Sequence, residues 1–143
     1  MRIILSRKGF DSTAGGCPSP IFPDGRMLSL PIPDKGSPIA YQRSPGWKPL
    51  LGQMGSAQGH LRKQGVQAGD VFLFFGSFRP VEQTAEGWCF NRAERARHII
   101  WGWMQIGRIH KVDELPSDEM HWARYHPHFA YSPDASNTLY ESA

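Results

Sequence analysis

The chain is poor in cysteine: Cys17 and Cys89 are the only two in 143 residues, too few for a disulfide framework or a zinc knuckle. A reducing, cytosolic setting is the simplest expectation. No apolar run approaches the roughly 18 residues that a membrane span needs. Ser6, Arg7 and Lys8 interrupt the first apolar stretch before the hydrophobic region of a signal peptide can form, so no membrane partner is expected. Charge of one sign is also scarce. The 16 basic and 13 acidic residues leave +3, short of the polybasic composition that predicts nucleic-acid binding unaided. Room for long helices is missing too, because 15 glycines and 12 prolines exceed the usual roughly 12% share of these two residues. An all-α fold is excluded.

What is present suffices for a core. Hydrophobic residues make up 40% of the chain, with 8 Phe, 5 Trp and 4 Tyr, and the length predicts one domain over residues 1–143. Arg2–Leu5 reads as a first strand, followed by a Gly- and Pro-punctuated loop from Ser6 to Pro20. Phe22–Gly25 carries an Asp-Gly turn, and Arg26–Leu30 reads as the returning strand. Five prolines between Pro31 and Pro49 exclude a helix there. Gly55–Gly65 is the best helix candidate, with Ser56 as its cap and Gly65 as its stop. Gln67–Asp70 reads as a turn feeding the apolar strand Val71–Phe75, which Gly76 breaks before Phe78–Val81. Gly87–Asn91 and the Ile- and Trp-rich His98–Ile109 read as further strands, with Gly102 marking a bulge or close approach. Asp113–Trp122 has room for a helical turn, and Asn137–Tyr140 for a last strand. The expected class is α+β, mostly antiparallel, with one or two short helices. A strand running almost to Ala143 also predicts a domain truncated at its C-terminus.

Several segments are distinctive. Ser6–Arg26, Gly52–Leu61, Gly69–Glu82, Trp122–His128 and Asn137–Tyr140 together, in this order, resemble the bacterial and phage family called nucleotide modification associated domain 3. The resemblance spans nearly the whole chain. It departs in two places: family members carry a longer insertion after the equivalent of Pro33-Asp34, and they continue beyond the equivalent of Tyr140. The resemblance implies a substrate neighbourhood, modified nucleobases, without a defined reaction. A looser similarity joins Gly69–Phe75 and Ile99–Gly107 to PUA-like β-barrels of the ASCH and EVE group. It implies a small β-barrel or curved sheet able to pocket a base.

The candidate chemistry lies in four places. The loop Lys8–Gly16 has glycines for an anion nest, with Arg7 and Lys8 for charge and Ser12 and Thr13 as hydroxyl donors. Without a Gly-Lys-Ser/Thr it is no P-loop, and an Asx-turn at Asp11 would explain it equally as a structural loop. Asp11 and Asp24 are a possible carboxylate pair, with Asp24 equally a turn residue. Tyr125, His126, Pro127 and His128 form the sharpest cluster: on an extended segment both imidazoles face one way, to meet a ligand or move a proton, or simply to sit satisfied in a surface turn. Gln58 and His60 could reach a base edge from their helix, or face solvent. Arg79, Arg92, Arg95 and Arg97 rim Trp88, Phe90 and Trp101, a nucleic-acid-like composition, although core packing explains Trp101 and Trp103 as well. Cys17 lacks a neighbouring base that would make it a nucleophile.

The leading expectation is recognition of a nucleotide or modified base, in nucleic acid or free, by Lys8, Ser12, Gln58, Arg79 and Tyr125. The competing class is an enzyme using Asp11, His60, His126 and His128 in general acid–base roles. A structural module is the third. Neither metal nor cofactor is expected. The joining expectation is that the loop around Asp11 and the imidazoles of His126 and His128 meet in one cavity.

Overall fold

The computed structural model describes residues 1–8, 17–27, 48–131 and 133–143. The chain is α+β and mostly strand. Its elements are β1 (Ile3–Arg7), β2 (Ser19–Ile21), β3 (Leu50–Gln53), α1 (Gly55–Lys63), β4 (Val71–Thr84), β5 (Gly87–Phe90), β6 (Arg97–Lys111) and β7 (Thr138–Ser142). Three 3-10 turns, at Val112–Glu114, His121–Ala123 and Pro127–Ala130, fill the connection between β6 and β7. Backbone hydrogen bonds order the strands β1-β4-β6-β7-β3, with β2 and β5 also paired to β4. The sheet is mixed, since β2 runs parallel to β4 whereas β5 on β4, and β3 and β6 on β7, are antiparallel. Among the described residues it does not close into a barrel. No helix among them is long and apolar enough to cross a membrane.

The chain forms two compact units, one of Met1–Ile4, Ala40–Phe72 and Met104–Ala143, the other of Leu5–Ile39 and Leu73–Trp103. In the first, β7 lies between β3 and β6, and its residues Thr138 to Glu141 are all buried. Leu51, Leu61, Phe72, Met104, Ile106, Leu139 and Tyr140 make the core, with Phe72 edge-on to Tyr140 at 5.2 Å. The Gln67–Asp70 turn is fixed by Asp70, whose buried carboxylate accepts from the Arg2 backbone N–H (2.7 Å) and the Gln67 N–H (3.1 Å). These donors, the Arg2 N–H foremost, hold its pKa below the usual carboxylate range.

In the second unit Phe74 stacks on Trp101 at 5.4 Å, and the Trp101 indole N–H donates to the Lys8 carbonyl at 3.0 Å. Phe78 and Ser19 are fully buried. Arg26 donates to Asp24 across the turn beginning at Phe22, and Trp88 of β5 meets Phe22 edge-on at 5.0 Å. That turn is as expected, and Met27 bridges back to Ile21; the rest of the returning strand, 28–30, lies outside the described residues, as does Pro31 to Trp47.

Several expectations need correction. Gly76 does not break β4, which runs unbroken over Val71–Thr84. Ser19–Ile21, expected as loop, is a strand, with Pro20 tolerated at its edge position beside Arg79. Ser56 does not cap α1: the N-cap is Met54, and the exposed Gly55 N–H is satisfied from far along the chain by the Ser136 hydroxyl at 2.7 Å. A register shift that the sequence did not suggest falls between Ile106 and Arg108 of β6, opposite β7. Trp103 is 70% exposed, so only Trp101 of the two tryptophans packs. The C-terminal stop of α1 is as expected. Gly65 takes φ +63°, its N–H donates to the Arg62 carbonyl and that of Val66 to Leu61, the Schellman arrangement. Gly65→Ala forces a side chain into the left-handed region. An urea titration is expected to show a loss of about 1 kcal/mol with an unchanged m-value, and a smaller loss for Gly65→Asn.

Candidate functional site

His126 precedes Pro127 and is therefore held extended (φ −67°, ψ 132°). Pro127 then starts a 3-10 turn, so the two histidines do not sit on an extended segment as the sequence suggested. They meet by capping. The His128 backbone N–H donates to Nδ1 of His126 at 3.3 Å, which brings the ring centroids to 5.3 Å.

Asn137, just before β7 and buried, sets the second ring. Its Nδ2 donates to the His128 carbonyl (2.8 Å) and the Tyr131 carbonyl (2.9 Å). Both amide hydrogens face carbonyls, so Oδ1 is the acceptor, and it lies 2.6 Å from Nδ1 of His128. That nitrogen must carry the proton, leaving Nε2 of neutral His128 with a lone pair. In neutral His126 the assignment is reversed: Nδ1 accepts, so Nε2 carries the proton. Among the described residues no buried side-chain nitrogen or oxygen lacks a partner, so neither Nε2 atom, for which no partner is seen among them, is sealed from solvent. The site thus offers one acceptor and one donor with fixed identities. Burial, with a smaller contribution from neighbouring His128, depresses the His126 pKa to about 4.

The register explains where His128 rests. A Cβ on Gly52 would fall inside the His128 ring, so only glycine admits it. Gly52 pairs with Leu139, and Leu51 with Tyr140. Because side chains alternate along a strand, Gly52, Asn137 and Leu139 share one face, while Leu51 and Tyr140 share the other. Gln58 is on that other face: its Oε1 accepts from the Tyr140 hydroxyl at 2.9 Å. The sheet therefore separates Gln58 from His128, two residues the sequence grouped. His60 is exposed on α1, and Tyr125 is half exposed beside the cluster.

The sequence also missed a cluster on the Asn137 face. Glu141, nearly buried on β7, accepts from Nε2 of His110 on β6 (2.8 Å) and pairs with Lys48 ahead of β3 (3.3 Å). Burial pushes the Glu141 carboxyl up, but these two partners together outweigh it and its pKa falls below the ordinary range. The contact ties three neighbouring strands together. No sequence spacing connects residues 110 and 141; only the β6–β7 register does.

The other expected residues divide by unit. In the second unit burial lowers the Lys8 pKa, and its backbone is pinned by the Phe75 carbonyl and Trp101. Arg79 donates through Nε to the Asn91 carbonyl at 3.1 Å. Arg92, Arg95 and Arg97 are exposed, as are Cys17 and Cys89. Asp11, Ser12 and Thr13 lie outside the described residues, and with them the expected meeting of that loop with His126 and His128. Among the described residues no three His, Cys, Asp or Glu side chains are grouped to hold a metal ion.

A family model described as nucleotide modification associated domain 3 matches residues 2–46 and 40–143. The chain belongs to this family. No curated protein and no solved structure matches it. The Asn137–His128–His126 cluster lies within the second matched segment of this nucleotide modification associated domain.

Two outcomes test the site. Gly52→Ala is expected to expel the His128 ring, seen by 15N NMR as loss of a single fixed His128 tautomer. For His126, the folded pKa of about 4 lies below the unfolded value of 6.5, so the unfolded chain binds the extra proton between these values. Stability is then expected to fall as pH drops from 6.5 towards 4, and thermal melts should show a flatter profile for His126→Asn, which keeps an acceptor for the His128 N–H.

Proposed function

We propose that this nucleotide modification associated domain recognises a nucleotide or modified nucleobase, with His126 and His128 reading its polar edge. The observation that carries the reading is the Asn137 amide, which leaves His128 Nε2 an acceptor beside the donor Nε2–H of His126. The Watson–Crick edge of every nucleobase carries both donors and acceptors, in an order that differs from base to base, and a reader whose own donor and acceptor cannot exchange discriminates among them. Membership of the family supports the ligand class. His60 and Tyr125, in the same unit as the two histidines, belong to the same proposal as further ligand or acid–base groups.

A second reading rests on the same atom. An imidazole oriented through Nδ1 with a free Nε2 is the arrangement of a general base, which would make the domain an enzyme acting on its nucleotide.

Calorimetric titration with the four deoxynucleoside 5′-monophosphates, and with base-methylated and base-hydroxymethylated forms, tests both. The expected result is saturable binding of at least one, weakened tenfold or more by His128→Ala and less by Asn137→Ala. No binding by any of them overturns the recognition reading. If chromatography shows turnover, the catalytic reading predicts that His128→Ala lowers the rate far more than the affinity.

A further inference from the structure

The second unit carries a separate surface that the histidine site does not use. On β4, Phe74 and Phe75 are neighbours and so point to opposite faces. Phe74 stacks on Trp101, on the face that also buries Phe78. Phe75 instead meets His98 of β6 at 6.0 Å, on the other face. Among the described residues nothing covers that face: Ile100, two residues from His98, is 60% exposed, and Leu5 of β1 is 65% exposed. Leu5, Phe75, His98, Ile99 and Ile100 line a pocket of about 190 Å³. The strands β1, β4 and β6 are consecutive neighbours in the sheet, so the pocket is a shallow hollow in the sheet surface itself.

Its size and lining restrict the occupant. It is smaller than the ~300 Å³ at which drug-sized sites begin, and its walls are apolar apart from the imidazole. One planar ring system fits that description, held by an aromatic ring and aliphatic side chains. The flanks are cationic. Arg7 shares the Leu5 face by strand alternation, and exposed Arg92 and Arg95 stand on the segment that leads into β6. Glu94 is the acid of that segment, 3.8 Å from Arg97. An apolar hollow for a ring, bordered by cations for phosphates, has the composition of a single-strand binding platform.

We propose that this face of β1, β4 and β6 binds single-stranded nucleic acid, one base in the Leu5–Phe75–His98–Ile100 hollow and the adjoining phosphates against Arg7, Arg92 and Arg95. The contact is independent of base identity, because every base has a stacking face and the hollow presents little else. It therefore differs in kind from the edge reading proposed for His126 and His128.

Fluorescence anisotropy with a labelled twelve-residue oligothymidylate tests it, with the same sequence as a duplex for comparison. The intact chain is expected to bind the single strand in preference to the duplex, with affinity falling steeply between 50 and 200 mM salt. Ile100→Asp is expected to weaken binding at least tenfold and Arg95→Glu severalfold, while Asp118→Asn, exposed on the connection between β6 and β7, leaves it unchanged. Because Ile100 is exposed, its variant should melt with the parent; if it fails to fold, Leu5→Ser takes its place. No binding of the single strand, or equal binding by the Ile100 and Leu5 variants, overturns the proposal. So does sedimentation showing a dimer that Ile100→Asp dissociates, since the face would then belong to a second copy. Oligonucleotide binding that falls in Ile100→Asp, whatever His128→Ala does to mononucleotides, separates this proposal from the preceding one.

Discussion

The arrangement at the candidate site depends on one buried amide. Asn137 has four hydrogen-bonding positions on its side chain at most, and three are committed: two donors to the carbonyls of His128 and Tyr131, one acceptor to the His128 ring. Its main chain is engaged as well, receiving at its carbonyl the Val112 N–H and donating to Asp134. A group so bound cannot rotate without leaving buried carbonyls unpaired, each a loss on the order of 1–3 kcal/mol. The tautomer of His128 is therefore set by the fold and not by the solvent, and through the His128 backbone N–H the orientation of His126 follows.

That amide can act as it does only because β7 is an interior strand. Flanked by β3 and β6, it places alternate residues on two covered faces: Asn137, Leu139 and Glu141 on one, Thr138 and Tyr140 on the other. The first face gathers histidines, with His128 over Gly52 and His110 on Glu141. The second gathers Gln58 and Phe72 around Tyr140. Burying Glu141 requires its two cationic partners, because a lone carboxylate there would be pushed towards neutrality. Tyr140 and Glu141 thus each have a fixed polar counterpart on a neighbouring element, Gln58 of α1 and His110 of β6.

The sequence made the elements legible to different degrees. Strong local signals, the apolar run at Val71–Phe75, the Ile- and Trp-rich His98–Ile109 and the Gly65 stop, correspond to β4, β6 and the end of α1. Weak ones failed where tertiary pairing decides. Gly76 looked like a break but lies within a strand long enough to absorb it, and Ser19–Ile21 is a strand because Phe78, Arg79 and Pro80 supply a parallel partner. The His126–Pro127–His128 cluster was visible, since Pro127 constrains its predecessor, yet its geometry was not: a 3-10 turn replaced the expected extended run. Gly52 and Asn137 stood out only as members of family-like segments, and His110 and Glu141 not at all; none of the four was a candidate site residue. The His110–Glu141 contact arises from register, which couples positions 31 residues apart, and the Gly52–His128 contact from a still more distant pairing; a single sequence gives no means of aligning them.

Recognition of a base in a polymer needs two separable contributions, contacts that position the strand and contacts that read its edges. A stacking hollow with cations supplies the first without discriminating, because its energy comes from ring faces and phosphates common to all nucleotides. A donor and acceptor of fixed identity supply the second, and they lose little entropy on binding because Asn137 and Gly52 already hold the ring. The cost of that fixity appears as pH sensitivity. Burial holds His126 neutral throughout the neutral range, so its Nδ1 goes on accepting the His128 N–H that orients the two rings. The same burial that weakens the fold in acid therefore preserves the hydrogen bond by which the two imidazoles are held together.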